Sequence, residues 1–195
     1  MNILAFDTST KKFSISILKN NKVVLNLTKI LNKTYSKFLI PILKKSLEKS
    51  KLDIKEINYI LISLGPGSFT GVRIGIAAAK GLGIPHKINI SGFNNMDILV
   101  NSIDNNIKEK RIVTIIKSKK SDYYFQVFDS KKKPIKKISF FKPGVNNELS
   151  PHLSNLLNKR SFDVFFKCYF LIGHLKANRS ILTRQKKGKR NFFKG

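Results

Sequence analysis

Hydrophobic and polar residues alternate along the first thirty positions as they do in β-strands. A short apolar strand runs from Asn2 to Phe6, and the polar turn Asp7–Thr10 follows it. Apolar side chains then recur at every second position in Phe13–Ile17, and the run Lys22–Leu27 follows the Asn20-Asn21 turn. Period-two alternation around a two-residue asparagine turn is typical of a β-hairpin. The pattern predicts three strands in series.

After this hairpin the apolar spacing changes to three and four residues. The change predicts an amphipathic helix from Tyr35 to Leu47, with Pro41 causing a kink or a late start. A buried strand is predicted over Asn58–Leu64 and a helix over Ile76–Leu82. The further predicted elements are strand Lys87–Ser91, helix Phe93–Ile103, strands Ile112–Ile116, Tyr123–Phe128 and Ile135–Phe141, helix Leu153–Leu157 and strand Phe162–Ile172.

The predicted order of elements is β-β-β-α-β-α-β-α, followed by a second set of strands in series. By analogy, this is the layout of a mixed α/β sheet with flanking helices, of the actin-like, ribonuclease-H-like (ASKHA) class. We therefore expect an N-terminal actin-like lobe over residues 1–106. A second lobe, shortened or degenerate, is expected over residues 107–180, and a basic tail over residues 181–195.

The stretch Gly65–Gly75 reads GPGSFTGVRIG and lies between a predicted strand and a predicted helix. Gly65-Pro66-Gly67 predicts a tight turn, because glycine permits positive φ and proline fixes its own φ. Ser68 is placed as the N-cap of the following helix. The glycine spacing fits neither a P-loop nor a dinucleotide fingerprint, and no lysine is placed to reach phosphates.

The helix that follows this turn carries several very small residues. Gly71, Gly75, Ala78 and Ala79 recur at helical spacing and predict a bare side. Such a side allows close approach of a partner helix, and Phe69, Val72, Ile76 and Lys80 are placed to edge that contact. The alternative is that the small residues pack on the chain's own sheet.

The chain is strongly basic, and this charge bears on the kind of partner it binds. Residues 1–100 carry 15 Lys+Arg against 5 Asp+Glu, and residues 101–195 carry 23 against 6, for a total of +27. The electrostatic field of so large a positive charge favours binding to nucleic acid or to another polyanion. The alternative is a compositional excess of lysine, asparagine and isoleucine such as an AT-rich genome produces.

The chain has a single cysteine and three widely separated histidines, so neither a disulfide nor a metal centre is expected. We also expect no signal peptide and no membrane span, and hence a cytoplasmic protein.

Three segments carry a resemblance to a known family. Met1–Thr10, Leu39–Leu43 and, above all, Gly65–Gly75 resemble the bacterial TsaB (YeaZ) proteins. The resemblance covers residues 1–100 well and residues 110–130 loosely. It implies a role in forming N6-threonylcarbamoyladenosine in tRNAs that read codons beginning with A. In that role the chain is a non-catalytic accessory subunit and not an enzyme. It binds the catalytic subunit TsaD through its two N-terminal helices, and the ATPase TsaE joins the complex.

The resemblance also implies site residues. It implies no catalytic residue, no metal and no cofactor of the chain's own, and any ATP belongs to the TsaD/TsaE complex. tRNA is a partner through the complex. In the absence of TsaD, the small-residue side of the helix also allows pairing with a second copy, so a homodimer is an open alternative. The turn Asp7, Thr8, Ser9 and Thr10 is a vestigial phosphate turn. The residues predicted to bind TsaD or a second copy are Phe69, Thr70, Gly71, Val72, Arg73, Gly75, Ile76, Ala79 and Lys80.

Two other functions remain open. An actin-like small-molecule kinase or ATPase would use Asp7, although one carboxylate is few contacts for phosphoryl transfer. A basic RNA-binding module would instead rely on the positive charge of the C-terminal half.

Overall fold

The computed structural model describes residues 1–10, 12–30, 35–103, 111–118 and 123–141. The chain divides into two compact units, and in the described part the division falls between Ile98 and Leu99. The predicted tail, the helix Leu153–Leu157 and the strand Phe162–Ile172 lie outside the described residues. The predicted domain boundary at residue 106 also lies outside them and stays a prediction.

The first unit is built on a five-stranded sheet with helices. Its strands are β1 (Ile3–Asp7), β2 (Lys12–Lys19), β3 (Lys22–Ile30), β4 (Tyr59–Ser63) and β5 (Asn89–Phe93). Its helices are α1 (Tyr35–Lys49), α2 (Phe69–Gly83) and the beginning of α3 (Asn95–Asn101), and Ile54–Glu56 forms a short 3₁₀ turn.

The strands are ordered β3-β2-β1-β4-β5 across the sheet. The β1-β2 and β2-β3 pairs are antiparallel, as a hairpin requires, and the β1-β4 and β4-β5 pairs are parallel. Helices connect the parallel strands, since parallel neighbours need a crossover. This arrangement confirms the predicted actin-like, ribonuclease-H-like fold class.

The main core lies between one face of this sheet and the helices α1 and α2. Ile15 and Ile60 on the strands and Leu39 and Leu43 on α1 are almost completely buried. Leu39, Leu43 and Leu47 keep the predicted spacing of four residues, which puts them on one side of α1. The helix begins at Tyr35, so a late start at Pro41 is wrong; Pro41 lies inside the helix and is exposed.

The five-stranded sheet has two ends along the direction of its strands, and we call them the carboxyl edge and the amino edge. The carboxyl edge is where the parallel strands β1, β4 and β5 end, at Asp7, Ser63 and Phe93. The amino edge is where these strands begin, and the β2-β3 turn lies there too, because Leu18 pairs with Ile3.

The described strands of the second unit are β6 (Arg111–Lys117), β7 (Tyr123–Asp129) and β8 (Ser139–Phe141), ordered β6-β7-β8 and antiparallel. The prediction that the last strand begins at Ile135 is wrong. Asp129 Oδ1 accepts a hydrogen bond from Lys133 N at 2.7 Å, which closes a turn. The returning chain then makes only an isolated bridge, between Pro134 and Phe128, before β8 begins at Ser139.

Candidate functional site at the carboxyl edge

The turn Asp7–Thr10 and the loop before α2 lie directly against each other. Ser68 N donates a hydrogen bond to Ser9 O at 2.6 Å. A Cβ atom on Gly67 would overlap the same Ser9 carbonyl oxygen. Glycine at this position is therefore needed for close approach, whereas the positive φ of the turn is at Gly65, with φ of 85°. The chain's own loop occupies the space next to the turn.

The first turn of α2 continues this contact. Ser68 is the N-cap, as predicted, and its Oγ accepts from Gly71 N at 3.3 Å. Thr8 Oγ1 donates to Gly71 O at 2.7 Å. Cβ atoms on Gly71 and Gly75 would overlap Thr8 O and Thr8 Oγ1, respectively. The small residues thus let α2 lie against the end of β1.

A buried amide joins the elements of this edge. Asn95 Nδ2 donates to Ser9 Oγ at 2.8 Å and to Pro66 O at 3.1 Å. Its Oδ1 accepts from Ser63 Oγ at 2.8 Å, and its backbone N donates to Gly65 O at 2.8 Å. One side chain therefore links the ends of β1 and β4 to the loop.

Asp7 lies beneath this network and is 6% exposed. Its Oδ1 accepts a hydrogen bond from Ser9 N at 2.7 Å. Burial raises the pKa of the Asp7 carboxyl because the charged form is disfavoured, although hydrogen bonds from Ser9 and Ser63 oppose the shift. The carboxylate faces the protein's own turn, and Thr8 and Ser9 are buried beside it.

The predicted partner-binding residues lie on two different sides of α2. Gly71, Gly75 and Ala79 are buried on the side that faces the sheet. The alternative reading therefore holds for these three: they pack on the chain's own sheet and do not form a bare outer face. Phe69, Thr70 and Arg73 are exposed, and Val72, Ile76, Ala78 and Lys80 are partly exposed.

An aromatic and a cation form a pair on the exposed side. The Arg73 guanidinium carbon lies 3.8 Å from the centre of the Phe69 ring, a cation-π arrangement one helical turn apart. Phe69 is still 67% exposed. On the neighbouring helix α1, Phe38 and Ile40 are 49% and 45% exposed.

Sequence reasoning missed Asn95. A detectable signal was present: the pair Asn94-Asn95 follows a predicted strand, and the ends of parallel strands meet at one edge of a sheet. Applied to the ends of β1, β4 and β5 together, that rule places Asn95 near Asp7–Thr10 and Ser63.

Within the described ranges, no group of three or more His, Cys, Asp or Glu residues is arranged to hold a metal ion. No helix in this part of the chain has the length and apolar character needed to span a membrane.

Comparison with known proteins shows which family the chain resembles. A family model described as TsaD, tRNA N6-adenosine threonylcarbamoyltransferase, matches residues 26–164. Two relatives, each named tRNA threonylcarbamoyladenosine biosynthesis protein TsaB, come from Buchnera aphidicola. The protein of subspecies Schizaphis graminum is 35% identical over 63% of this chain and 58% of its own length. The protein of subspecies Baizongia pistaciae is 38% identical over 63% and 56%.

A solved structure agrees in fold. YeaZ from Pseudomonas aeruginosa matches with a TM-score of 0.63 at 21% identity, over 75% of this chain and 69% of that one. The chain spans a little over half the length of the curated relatives that it matches. From its sequence and its fold, the chain belongs to the family that the TsaD model describes, and within it to the TsaB (YeaZ) proteins.

Proposed function

We propose that this chain is a non-catalytic partner of TsaD in the formation of N6-threonylcarbamoyladenosine in tRNAs that read codons beginning with A. The observation that carries the proposal is the filled carboxyl edge. The loop lies so close to the turn after β1 that an added Cβ atom on Gly67 or Gly71 would overlap Ser9 O or Thr8 O, respectively. An actin-like ATPase would hold phosphate at this turn, which takes open space and backbone N–H donors. Here the chain's own loop fills the space, and Ser9 N already donates to Asp7 Oδ1.

The state of Asp7 supports the same proposal. Phosphoryl transfer relies on several charged groups and a metal ion that face the transferred phosphate. Asp7 is buried, bonds to Ser9 N, and has a raised pKa because of burial. ATP is accordingly assigned to TsaD and TsaE, and this chain supplies binding surface.

The surface proposed to meet TsaD is the exposed side of α2. We call it the Phe69 face and define it by Phe69, Val72 and Arg73, whose spacing of three and four residues puts them on one side of the helix. It combines an exposed aromatic ring and a partly exposed valine with an arginine that lies over the ring. Aromatic and arginine residues are enriched in the energetic centres of protein interfaces.

Gly75 and Ala79 support this face from behind. Because they are small, α2 lies close to β1 and β4, which fixes the direction in which its outer residues project. These two belong to the docking helix without touching the partner.

Capture of the cognate TsaD tests the proposal. Phe69→Glu and Val72→Glu each place a charge in the proposed contact, and each is expected to abolish capture while leaving the thermal unfolding midpoint nearly unchanged. Ile84→Glu is the matched control, because Ile84 is 64% exposed just beyond the other end of α2; it should bind TsaD normally.

Gly75→Arg is unsuitable as an interface variant, because its side chain would have to enter the space of Thr8 and Ile62. If both glutamate variants captured TsaD as well as the wild type does, the assignment of the Phe69 face would be contradicted. Self-association that the same variants remove, without any binding to TsaD, would assign this face to a second copy.

A further inference from the structure

The amino edge of the first unit carries a group of lysines that the proposed function leaves unexplained. They come from three separate turns: Lys19 and Lys22 at the β2-β3 turn, Lys51 and Lys55 between α1 and β4, and Lys87 between α2 and β5. We call these five residues the basic edge. Four are exposed, and the fifth, Lys19, is partly exposed.

Contacts in the structure bring these turns together. Lys19 Nζ donates to Lys51 O at 2.9 Å, and Lys19 pairs with Lys22 across the hairpin. Asn2 accepts from Asn20 N at 3.1 Å through its Oδ1 and donates from its Nδ2 to Glu56 O at 3.0 Å.

The sheet itself completes the row. Tyr59 at the start of β4 pairs with Asn89 at the start of β5, two residues beyond Lys87. Neighbouring strands lie about 4.8 Å apart, so the lysines follow one another along a single edge.

Two of these lysines occupy positions at which glycine is usually found. After α1, Leu52 N bonds to Leu47 O at 3.1 Å and Lys51 N to Glu48 O at 2.9 Å, which is the Schellman pattern. Lys51 is the left-handed residue of that motif, with φ of 51°. A side chain with a Cβ atom is disfavoured in this conformation.

The end of α2 repeats the arrangement. Ile88 N bonds to Gly83 O at 2.8 Å and Lys87 N to Ile84 O at 3.1 Å, and Lys87 has φ of 53°. At the carboxyl edge, by contrast, the left-handed position is filled by glycine, Gly65. Lysine thus stands at both helix ends of the amino edge, although the backbone favours glycine there.

The carboxylates of this edge do not neutralise it. Asp53 Oδ1 accepts from Lys55 N at 2.9 Å, and Glu56 Oε2 accepts from Asp53 N at 2.7 Å, so both carboxylates cap their own turn. Five lysines therefore stand against two carboxylates. In the last turn of α1, the charges of Glu48 and Lys49 cancel.

We propose that the basic edge binds the phosphate backbone of RNA. This rests on the proposed function for the kind of RNA, a tRNA, and it assigns the contact to the amino edge, away from the carboxyl edge where α2 begins. Lysines and amides are the groups that contact phosphates and sugars in nucleic-acid complexes. Exposed asparagines lie among these lysines: Asn20, Asn21, Asn58 and Asn89. A membrane-surface site would be expected to present a broad apolar face instead.

A salt series on the full chain with an unmodified tRNA transcript tests this proposal. The triple variant Lys22→Ala/Lys51→Gly/Lys87→Gly removes three charges without adding backbone strain. Its plot of log affinity against log salt is expected to be shallower by about 2 to 3 units, with affinity near physiological salt at least roughly tenfold weaker.

The control is the triple variant Lys12→Ala/Lys29→Ala/Lys37→Ala. It removes the same charge from exposed lysines near the opposite ends of β2, β3 and α1, and its slope is expected to change by less than about one unit. Equal losses in both variants would show that lysines contribute through composition alone and would overturn the proposal. So would the absence of measurable tRNA binding by the wild-type chain.

Thermal unfolding and vesicle binding complete the test. Lys51→Gly and Lys87→Gly each relieve a left-handed lysine, so their unfolding midpoints should rise by a few degrees. Weaker RNA binding by a more stable protein cannot be caused by unfolding.

The last measurement is binding to vesicles of equimolar phosphatidylglycerol and phosphatidylcholine. Binding to vesicles that depends on the same lysines, with RNA binding unaffected, would overturn the RNA assignment.

TsaD capture by the same variants separates this proposal from the previous one. The basic-edge triple variant should capture TsaD as well as wild type does. Failure of wild type to capture TsaD would contradict the proposed function, whereas the salt slopes test the basic edge independently.

Discussion

The turns at the two edges of the five-stranded sheet use different residues, glycine at the carboxyl edge and lysine at the amino edge. At the carboxyl edge, glycines let the chain fold back on itself, and Gly67 and Gly71 lie against backbone oxygens of the turn after β1. At the amino edge, Lys51 and Lys87 hold left-handed positions where glycine would be more stable. The first edge is closed by internal contacts and the second presents charge to solvent. The first edge supports a helix of the chain itself, and the second is the one proposed to meet the phosphates of RNA.

The largest expected effect comes from Gly71→Ala, which tests the closed edge. The added Cβ atom would overlap Thr8 O, which is backbone and cannot move aside easily. We expect a loss of about 3 kcal/mol in the free energy of unfolding, measured by chemical denaturation.

Gly81→Ala is the matched control on the same helix. No atom lies within 4 Å of a Cβ at Gly81, which is exposed. Alanine is the better helix former, so this variant should gain about 0.5–1 kcal/mol. Equal effects at the two glycines would show that α2 does not lie against β1 as described.

The sequence predicts many of the strands and helices at these two edges, but not how they pack against each other. Alternation and spacing predict the three-stranded start, the helix from Tyr35 and the Ser68 N-cap, because these depend on local preferences. The direction in which Gly71 and Gly75 face is not predictable in this way. Small residues suit a partner helix and the chain's own sheet equally well, and the choice depends on the end of β1, some sixty positions earlier in the chain.

The role of Asn95 depends in the same way on distant residues. Its partners belong to β1, β4 and the loop, and no local pattern links them. The left-handed lysines were missed for a different reason, since sequence rules place glycine at helix ends and do not anticipate lysine there.

The next effect in size comes from Asn95→Ala, which removes the amide that joins the closed edge. Ser9 Oγ, Ser63 Oγ and Pro66 O would each lose a partner in a buried setting. We expect a loss of about 2–3 kcal/mol in unfolding free energy. Asn94→Ala, which removes only the hydrogen bond to Met96 N, should cost about 1 kcal/mol. A smaller loss at Asn95 than at Asn94 would contradict the network.

The smallest effect concerns Asp7 and its dependence on pH. The pKa of this carboxyl is raised above 3.8 by burial, so above pH 3.8 the unfolded chain releases a proton that the folded chain retains. Stability of the wild type therefore falls as pH rises from 3.8 towards the folded pKa. Asp7→Asn avoids this loss, so it should unfold at a higher temperature at neutral pH. The difference should disappear below pH 3.8; a gap that widens in acid would contradict the raised pKa.

The central proposal is that the carboxyl edge is filled by the chain itself and does not bind a nucleotide. Calorimetric titration of the isolated chain with MgATP tests it most directly. We predict no saturable binding up to about 1 mM, the upper end of ordinary KM values. Saturable micromolar binding that Asp7→Ala abolishes would contradict the claim and favour an actin-like kinase or ATPase.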